Sequence, residues 1–162
     1  RNDSWKAFIE LQKRGLCRSI GVSNFTIENL KELEEKYDVL PAINQVEFHP
    51  YHYQKQLLEY CNSKNIIIQA YSPLVHAKRM DEPRLIAISD ELGKTPAQVL
   101  IRWAIQRGMV VLPKSVNQDR IVENFAVFDF DISNSLMKRL DDLDERYVTC
   151  WDPHNPPPYA PV

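Results

Sequence analysis

Apolar side chains recur at three-to-four spacing in several stretches of the chain, and between them they gather in short, nearly continuous runs. The first pattern predicts amphipathic helices and the second predicts buried strands. SWKAFIELQKRG places Trp5, Phe8, Ile9 and Gln12 on one helix face, with Gly15 as its C-cap. CRSIGV follows as a short strand. Thr26 is the N-cap of IENLKELEEKY, whose apolar face is Ile27, Leu30, Leu33 and Tyr37. AINQVEF is the next strand and QKQLLEYCNSKN the next helix. IIIQAYS is a strand whose unbroken apolar run implies that both faces are covered. The stretch from Leu74 to Pro83 has no period and reads as an irregular loop. RLIAISDEL is a helix stopped by Gly93. Thr95, Pro96 and Gln98 then supply a capping hydroxyl, a proline at the first helical position and a glutamine at the third, so AQVLIRWAIQRG starts there. VVLP is a strand, and RIVENFAVF and NSLMKRLDDLDERY are the last helices. The proline-rich WDPHNPPPYAPV predicts a non-helical surface arm.

The order is a repetition of strand and helix, which fits parallel strands joined by crossover helices. No internal linker appears, so residues 1–162 read as a single domain, with 144–162 as a C-terminal arm. Two architectures fit: an open doubly wound sheet, and part of an eight-stranded βα barrel. With only four glycines, the chain has no Gly-rich strand-to-helix turn of the dinucleotide-binding type, which disfavours the first.

Composition narrows the partners. The 20 basic and 22 acidic side chains give a formal charge of -2, and 44% of residues are hydrophobic, enough for one sizeable core. Nothing points to nucleic acid, and no apolar run has the length to span a membrane. Cys17, Cys61 and Cys150 are few, odd in number and far apart, which predicts a reducing, cytoplasmic setting. His49, His52, His76 and His154 lack ligand spacing, so no metal site is expected. The chain begins at Arg1, directly before a helix-like stretch.

Polar residues collect at the carboxyl ends of the predicted strands: Ser23 and Asn24, then Gln45, Glu47 and His49, then Tyr71 and Ser72, then Lys114, Ser115 and Asn117. In a βα barrel these ends form the face where active sites are built. VVLPKSVNQDRIVENF carries the sharpest pattern. Arg120, Glu123 and Asn124 share a helix face, and Asn117 can cap the helix start, where free N–H groups favour an anion. Lys114 and Arg120 would meet over a phosphate, with Glu123 and Asn124 receiving amino groups of a purine. The alternative is an Arg120–Glu123 surface pair that needs no ligand. Tyr71 fits core packing or a stacking platform for a planar ring. Gln45 leaves a buried strand, so its amide needs a partner, either a carboxamide ligand or neighbouring backbone.

GVSNF, NQVEFHPY, AYSPL, AQVLIRW and LPKSVNQDRIVEN together resemble the aldo-keto reductase family, in the family's order from Trp5 to about Leu143. The resemblance implies a (β/α)8 TIM barrel, of which these residues represent roughly the last four βα units, and NADPH lying across the carboxyl-end face. It implies that Ser23, Asn24 and Gln45 bond the nicotinamide carboxamide and that Tyr71 stacks on the nicotinamide ring. Ser72 and Leu74 would line the pyrophosphate path. Lys114, Ser115, Asn117 and Arg120 would hold the 2′-phosphate, with Glu123 and Asn124 at the adenine. Cys150 and Trp151 resemble the substrate loop by location.

The resemblance also sets limits on this segment. The family's tyrosine acid and its supporting aspartate, lysine and histidine belong to motifs that precede these residues, so no catalytic residue is assigned. The expected activity, NADPH-dependent reduction of a small aldehyde or ketone to the alcohol, therefore attaches to a complete, monomeric parent. Four parallel strands leave open edges, so the isolated half is expected to be inactive, aggregation-prone or dependent on the missing half. A non-catalytic, NADPH-binding regulatory member of the superfamily and a truncated, inactive product are the alternatives.

Overall fold

The computed structural model of the chain describes residues 2–150. Within them the elements alternate as α1 (Asn2–Lys13), β1 (Gly21–Ser23), α2 (Ile27–Lys36), β2 (Ile43–Glu47), α3 (Lys55–Ser63) and β3 (Ile67–Tyr71). After a short turn at Val75–Ala77 come α4 (Pro83–Leu92), α5 (Pro96–Gln106), β4 (Val110–Leu112), α6 (Gln118–Phe125) and α7 (Asn134–Asp141). The proline-rich arm and Trp151 lie outside the described residues. No described helix is long and apolar enough to cross a membrane.

The described residues divide into two compact units: 2–46 and 55–68 in the first, and 47–54 and 69–150 in the second. In the first, β1 pairs in parallel with β2, Gly21 opposite Ile43 and Ser23 opposite Gln45. Gly21 is needed there, because a Cβ at this position would stand 2.9 Å from the Ile43 carbonyl oxygen. The Ile67 N–H bonds the Ala42 carbonyl at 3.0 Å. In the second unit, β3 pairs in parallel with β4, Gln69 opposite Val110, and Phe48 N–H bonds the Tyr71 carbonyl at 3.3 Å. Strand order is β1-β2-β3-β4, the sequential parallel arrangement that βα repetition dictates.

The first unit's core is built by α1 and α2. Trp5, Ile9, Ile20 and Leu33 are buried together, with Cys17, Val22, Phe25, Tyr37 and Val39 packed around them. Trp5 is anchored by its indole N–H, which bonds the Val39 carbonyl at 3.1 Å. Phe8, expected on the buried face, is instead 42% exposed and meets Trp5 edge-on. The reason is angular: Trp5 and Ile9 are one turn apart and define the stripe, whereas Phe8 lies on its margin.

The second unit centres on α5, whose Val99, Leu100, Ile101, Trp103 and Ala104 are all buried. Its start is the capping box read from sequence: Thr95 accepts from Gln98 N–H and Gln98 returns a bond to Thr95 N–H. Both faces of β3 were expected to be covered, but Ile67 is 47% exposed while Ile68 and Ala70 are buried. Burial alternates along this strand despite its continuous apolar sequence.

Candidate functional site

In the first unit the polar end of β1 is fixed by β2. Ser23 Oγ donates to the Gln45 carbonyl at 2.9 Å, and Asn24 N–H donates to the same oxygen at 2.9 Å. Asn24 has φ 56°, a left-handed conformation that asparagine tolerates better than most residues. Asn44 holds the following residue: its Oδ1 accepts from Phe25 N–H at 3.3 Å, and its Nδ2 donates to the Phe25 carbonyl at 2.9 Å. Asn44 is fully buried on β2, and its side chain also meets Cys61, whose thiol is raised to about 11 by burial against the opposing hydrogen bond from Asn44. Sequence reading missed this residue, because Asn44 is one of three polar residues in AINQVEF, with Gln45 and Glu47, and nothing in the pattern sets it apart. Asn44→Leu removes the bonds to both the N–H and the carbonyl of Phe25. Unfolding stability is expected to fall by about 2 kcal/mol, read from urea denaturation. An unchanged midpoint would show the clamp to be dispensable.

In the second unit β4 delivers Lys114 to an exposed position, followed by a turn built by Ser115 and Asn117. Ser115 Oγ accepts from Asn117 N–H at 3.1 Å, and Asn117 Oδ1 caps α6 by accepting from Arg120 N–H at 3.0 Å. The capping role expected of Asn117 is therefore present. Arg120 is exposed in the first turn of α6. Glu123 is engaged elsewhere than the Arg120–Glu123 alternative proposes: its carboxylate accepts from Thr95 Oγ1 at 2.5 Å. Asn124 is buried on the same helix.

The second unit also holds a buried carboxylate. Glu47 Oε1 accepts from Thr149 N–H at 2.8 Å, from the Thr149 hydroxyl, and from His49 Nε2 at 3.1 Å, while Oε2 accepts from Cys150 N–H at 3.1 Å. Burial by itself would push this carboxyl up. The bonds from His49, from the Thr149 side chain and from the Thr149 and Cys150 backbone outweigh it and hold the pKa at about 2. The bond fits the His49 tautomer with its proton on Nε2, and His49 Nδ1 has no partner among the described residues. Ser72 and Leu74 follow β3 and lead into the turn Val75–Ala77, where Ser72 Oγ lies 3.0 Å from His76 Nε2 and 3.3 Å from Cys150 Sγ. Sequence reading placed Glu47 and His49 at a strand end and Cys150 in the terminal arm. It gave no sign that the two ends of this segment meet, since 103 positions separate Glu47 from Cys150.

The family model for the aldo/keto reductase family matches residues 1–145. An uncharacterized oxidoreductase of Schizosaccharomyces pombe is 44% identical over 154 residues, which are 94% of this chain and 56% of that protein. The glyoxal reductase of Bacillus subtilis is 43% identical over 146 residues, 89% of this chain and 53% of its own. The crystal structure of a Bombyx mori aldo-keto reductase in complex with NADP is 32% identical, with a TM-score of 0.84 over 90% of this chain and 51% of that one. The chain thus spans about half the length of the curated relatives it matches.

Proposed function

The chain belongs to the aldo-keto reductase family, and on that footing we propose that the whole protein reduces aldehydes or ketones with NADPH, held through residues of this chain. In this reading Ser23, Asn24 and Gln45 bond the nicotinamide carboxamide and Tyr71 stacks on its ring. Ser72 and Leu74 line the pyrophosphate path. Lys114, Ser115, Asn117 and Arg120 hold the 2′-phosphate, and Glu123 and Asn124 meet the adenine. When bound, the cofactor supplies hydride to the carbonyl carbon.

One observation carries the proposal: two exposed cations, Lys114 and Arg120, flank a Ser115–Asn117 turn at the N-terminus of α6. A helix start offers N–H groups and partial positive charge, and two neighbouring cations make it a fit for a dianion rather than for a neutral ribose hydroxyl. Glu123 is tied to Thr95, and Asn124 is buried on the same helix. Ser23 Oγ and Asn24 N–H both donate to the Gln45 carbonyl, which joins the end of β1 to β2.

Arg120→Ala decides between this reading and a solubilising surface charge. NADPH affinity is expected to fall about 10- to 100-fold, the worth of one charge-assisted contact, with NADH affinity little changed. Calorimetric titration of the natural protein with each cofactor measures both. Equal affinities before and after the substitution would overturn the assignment. The Bacillus subtilis relative, a glyoxal reductase, makes glyoxal the first carbonyl to assay.

A further inference from the structure

The capping box at the start of α5 has more hydrogen-bonding capacity than a cap uses. Capping takes one oxygen from each side chain: Thr95 Oγ1 accepts from Gln98 N–H at 3.3 Å, and Gln98 Oε1 accepts from Thr95 N–H at 3.1 Å. The remaining protons of both go to α6. Thr95 Oγ1 donates to Glu123 Oε1 at 2.5 Å, and Gln98 Nε2 donates to the Glu123 and Ala126 carbonyls at 3.3 and 3.0 Å. We infer that Thr95 is a positioning residue for adenine recognition, its hydroxyl orienting the Glu123 carboxylate toward the exocyclic amino group. The inference rests on the NADPH reading above.

Chemistry fixes the direction of the Thr95 bond. A carboxylate only accepts, so the hydroxyl proton goes to Glu123 while an oxygen lone pair serves the helix N–H. A hydroxyl donating to an ionised acceptor makes one of the stronger hydrogen bonds. Glu123 is thereby held twice from α5, at its backbone by Gln98 and at its carboxylate by Thr95. With Oε1 engaged, Oε2 is the oxygen left to accept from a ligand.

Apolar packing does not fix α6. The helix has eight residues, of which Asn124 alone is buried, while Ile121, Val122 and Phe125 are exposed. A helix this short is marginal by itself, so its orientation comes from ties to its neighbour. Gln98 makes such ties from a buried position. Arg102, one turn further along α5, extends them by donating to the Val127 carbonyl at 3.1 Å. Thr95 supplies the tie that reaches the carboxylate itself.

Two substitutions separate the cap from the donor. Thr95→Asp keeps the cap, since aspartate is as good an N-cap as threonine, but it has no proton for Glu123 and repels it. Thr95→Ser keeps both functions. The cofactors to titrate by calorimetry into the natural protein are NADPH, NADH and the counterpart of NADPH that carries hypoxanthine, with an oxo group where adenine has its amino group.

The parent should bind NADPH about tenfold more tightly than the hypoxanthine counterpart, the worth of one charge-assisted bond. Thr95→Ser should keep that preference. Thr95→Asp should weaken NADPH and NADH alike by about tenfold and leave the hypoxanthine counterpart unchanged. The counterpart carries the same phosphates, so a general charge effect would weaken it too. Retention of the preference in Thr95→Asp, its loss in Thr95→Ser, or equal weakening of all three cofactors would overturn the inference. A parent that prefers NADPH to NADH but does not tell adenine from hypoxanthine overturns the inference and leaves the phosphate assignment standing. A parent indifferent between NADPH and NADH overturns that assignment instead, and the adenine comparison still decides this one. Binding of none of the three overturns both.

Discussion

Trp103→Ala is expected to destabilise the chain by about 4 kcal/mol, the middle of the range for emptying a buried indole site. Trp103 is fully buried on α5, with Phe48 and Tyr53 rings at 5.9 and 5.3 Å between centroids and the Arg107 guanidinium 5.0 Å from its ring. Its indole N–H donates to Asp141 Oδ1 at 2.9 Å. Alanine therefore removes three kinds of contact at once: ring packing, a cation–π face and a hydrogen bond to a carboxylate that Arg107 also engages. Trp103→Phe separates them. It keeps most of the packing and drops the N–H, so a loss nearer 1–2 kcal/mol is expected. Urea denaturation followed by far-UV circular dichroism measures both. A loss below about 1 kcal/mol for alanine would mean that neighbouring side chains collapse into the space, which the close packing of protein interiors opposes.

Acidification is expected to weaken the hold of Glu47 on Thr149 and Cys150. Its folded pKa, about 2, lies below the ordinary 4.5, so the folded state binds its proton less readily than the unfolded state. The stabilisation is therefore fully present above about pH 4.5 and is lost as pH falls toward 2, on the order of 3 kcal/mol in all. Glu47→Gln carries no such titration. Its stability deficit against the parent should be largest near pH 6 and should shrink steadily below pH 4.5. Parallel stability curves for the two proteins from pH 6 to 2.5 would show that the buried bonds contribute nothing through ionisation.

Much of this fold was legible in local chemistry. Thr26 and Thr95 cap their helices, Asn117 caps α6, and Gly15 and Gly93 take the left-handed φ of 73° and 60° that helix ends require. These signals lie within a few residues of the structure that they specify. Helix ends set from a distance were not legible. The periodicity of NSLMKRLDDLDERY continues to Tyr147, yet α7 stops at Asp141. The Glu145 and Tyr147 N–H groups bond the Tyr51 carbonyl instead, Asp144 accepts from Tyr53 N–H, and Arg79 stacks 4.4 Å from the Tyr147 ring. RIVENFAVF likewise ends at Phe125, because Gln98 from α5 supplies donors to the Glu123 and Ala126 carbonyls that a longer helix would have bonded internally. Among the candidate residues, Lys114, Arg120 and Asn117 could be found because strand, turn and helix follow one another in sequence. Asn44 and Thr149 could not, since their partners lie 19 and 102 positions away.

The Asn44 clamp on Phe25 has a thermodynamic consequence for whatever meets the loop after β1. The left-handed backbone of Asn24 and the bonds of Ser23 are set during folding, so a ligand arriving there has no segment to order. Ordering entropy, a common drain on affinity at loop-built sites, is then largely absent. Association at that edge should be a single exponential whose rate rises linearly with ligand concentration, without the plateau that a preceding loop closure imposes.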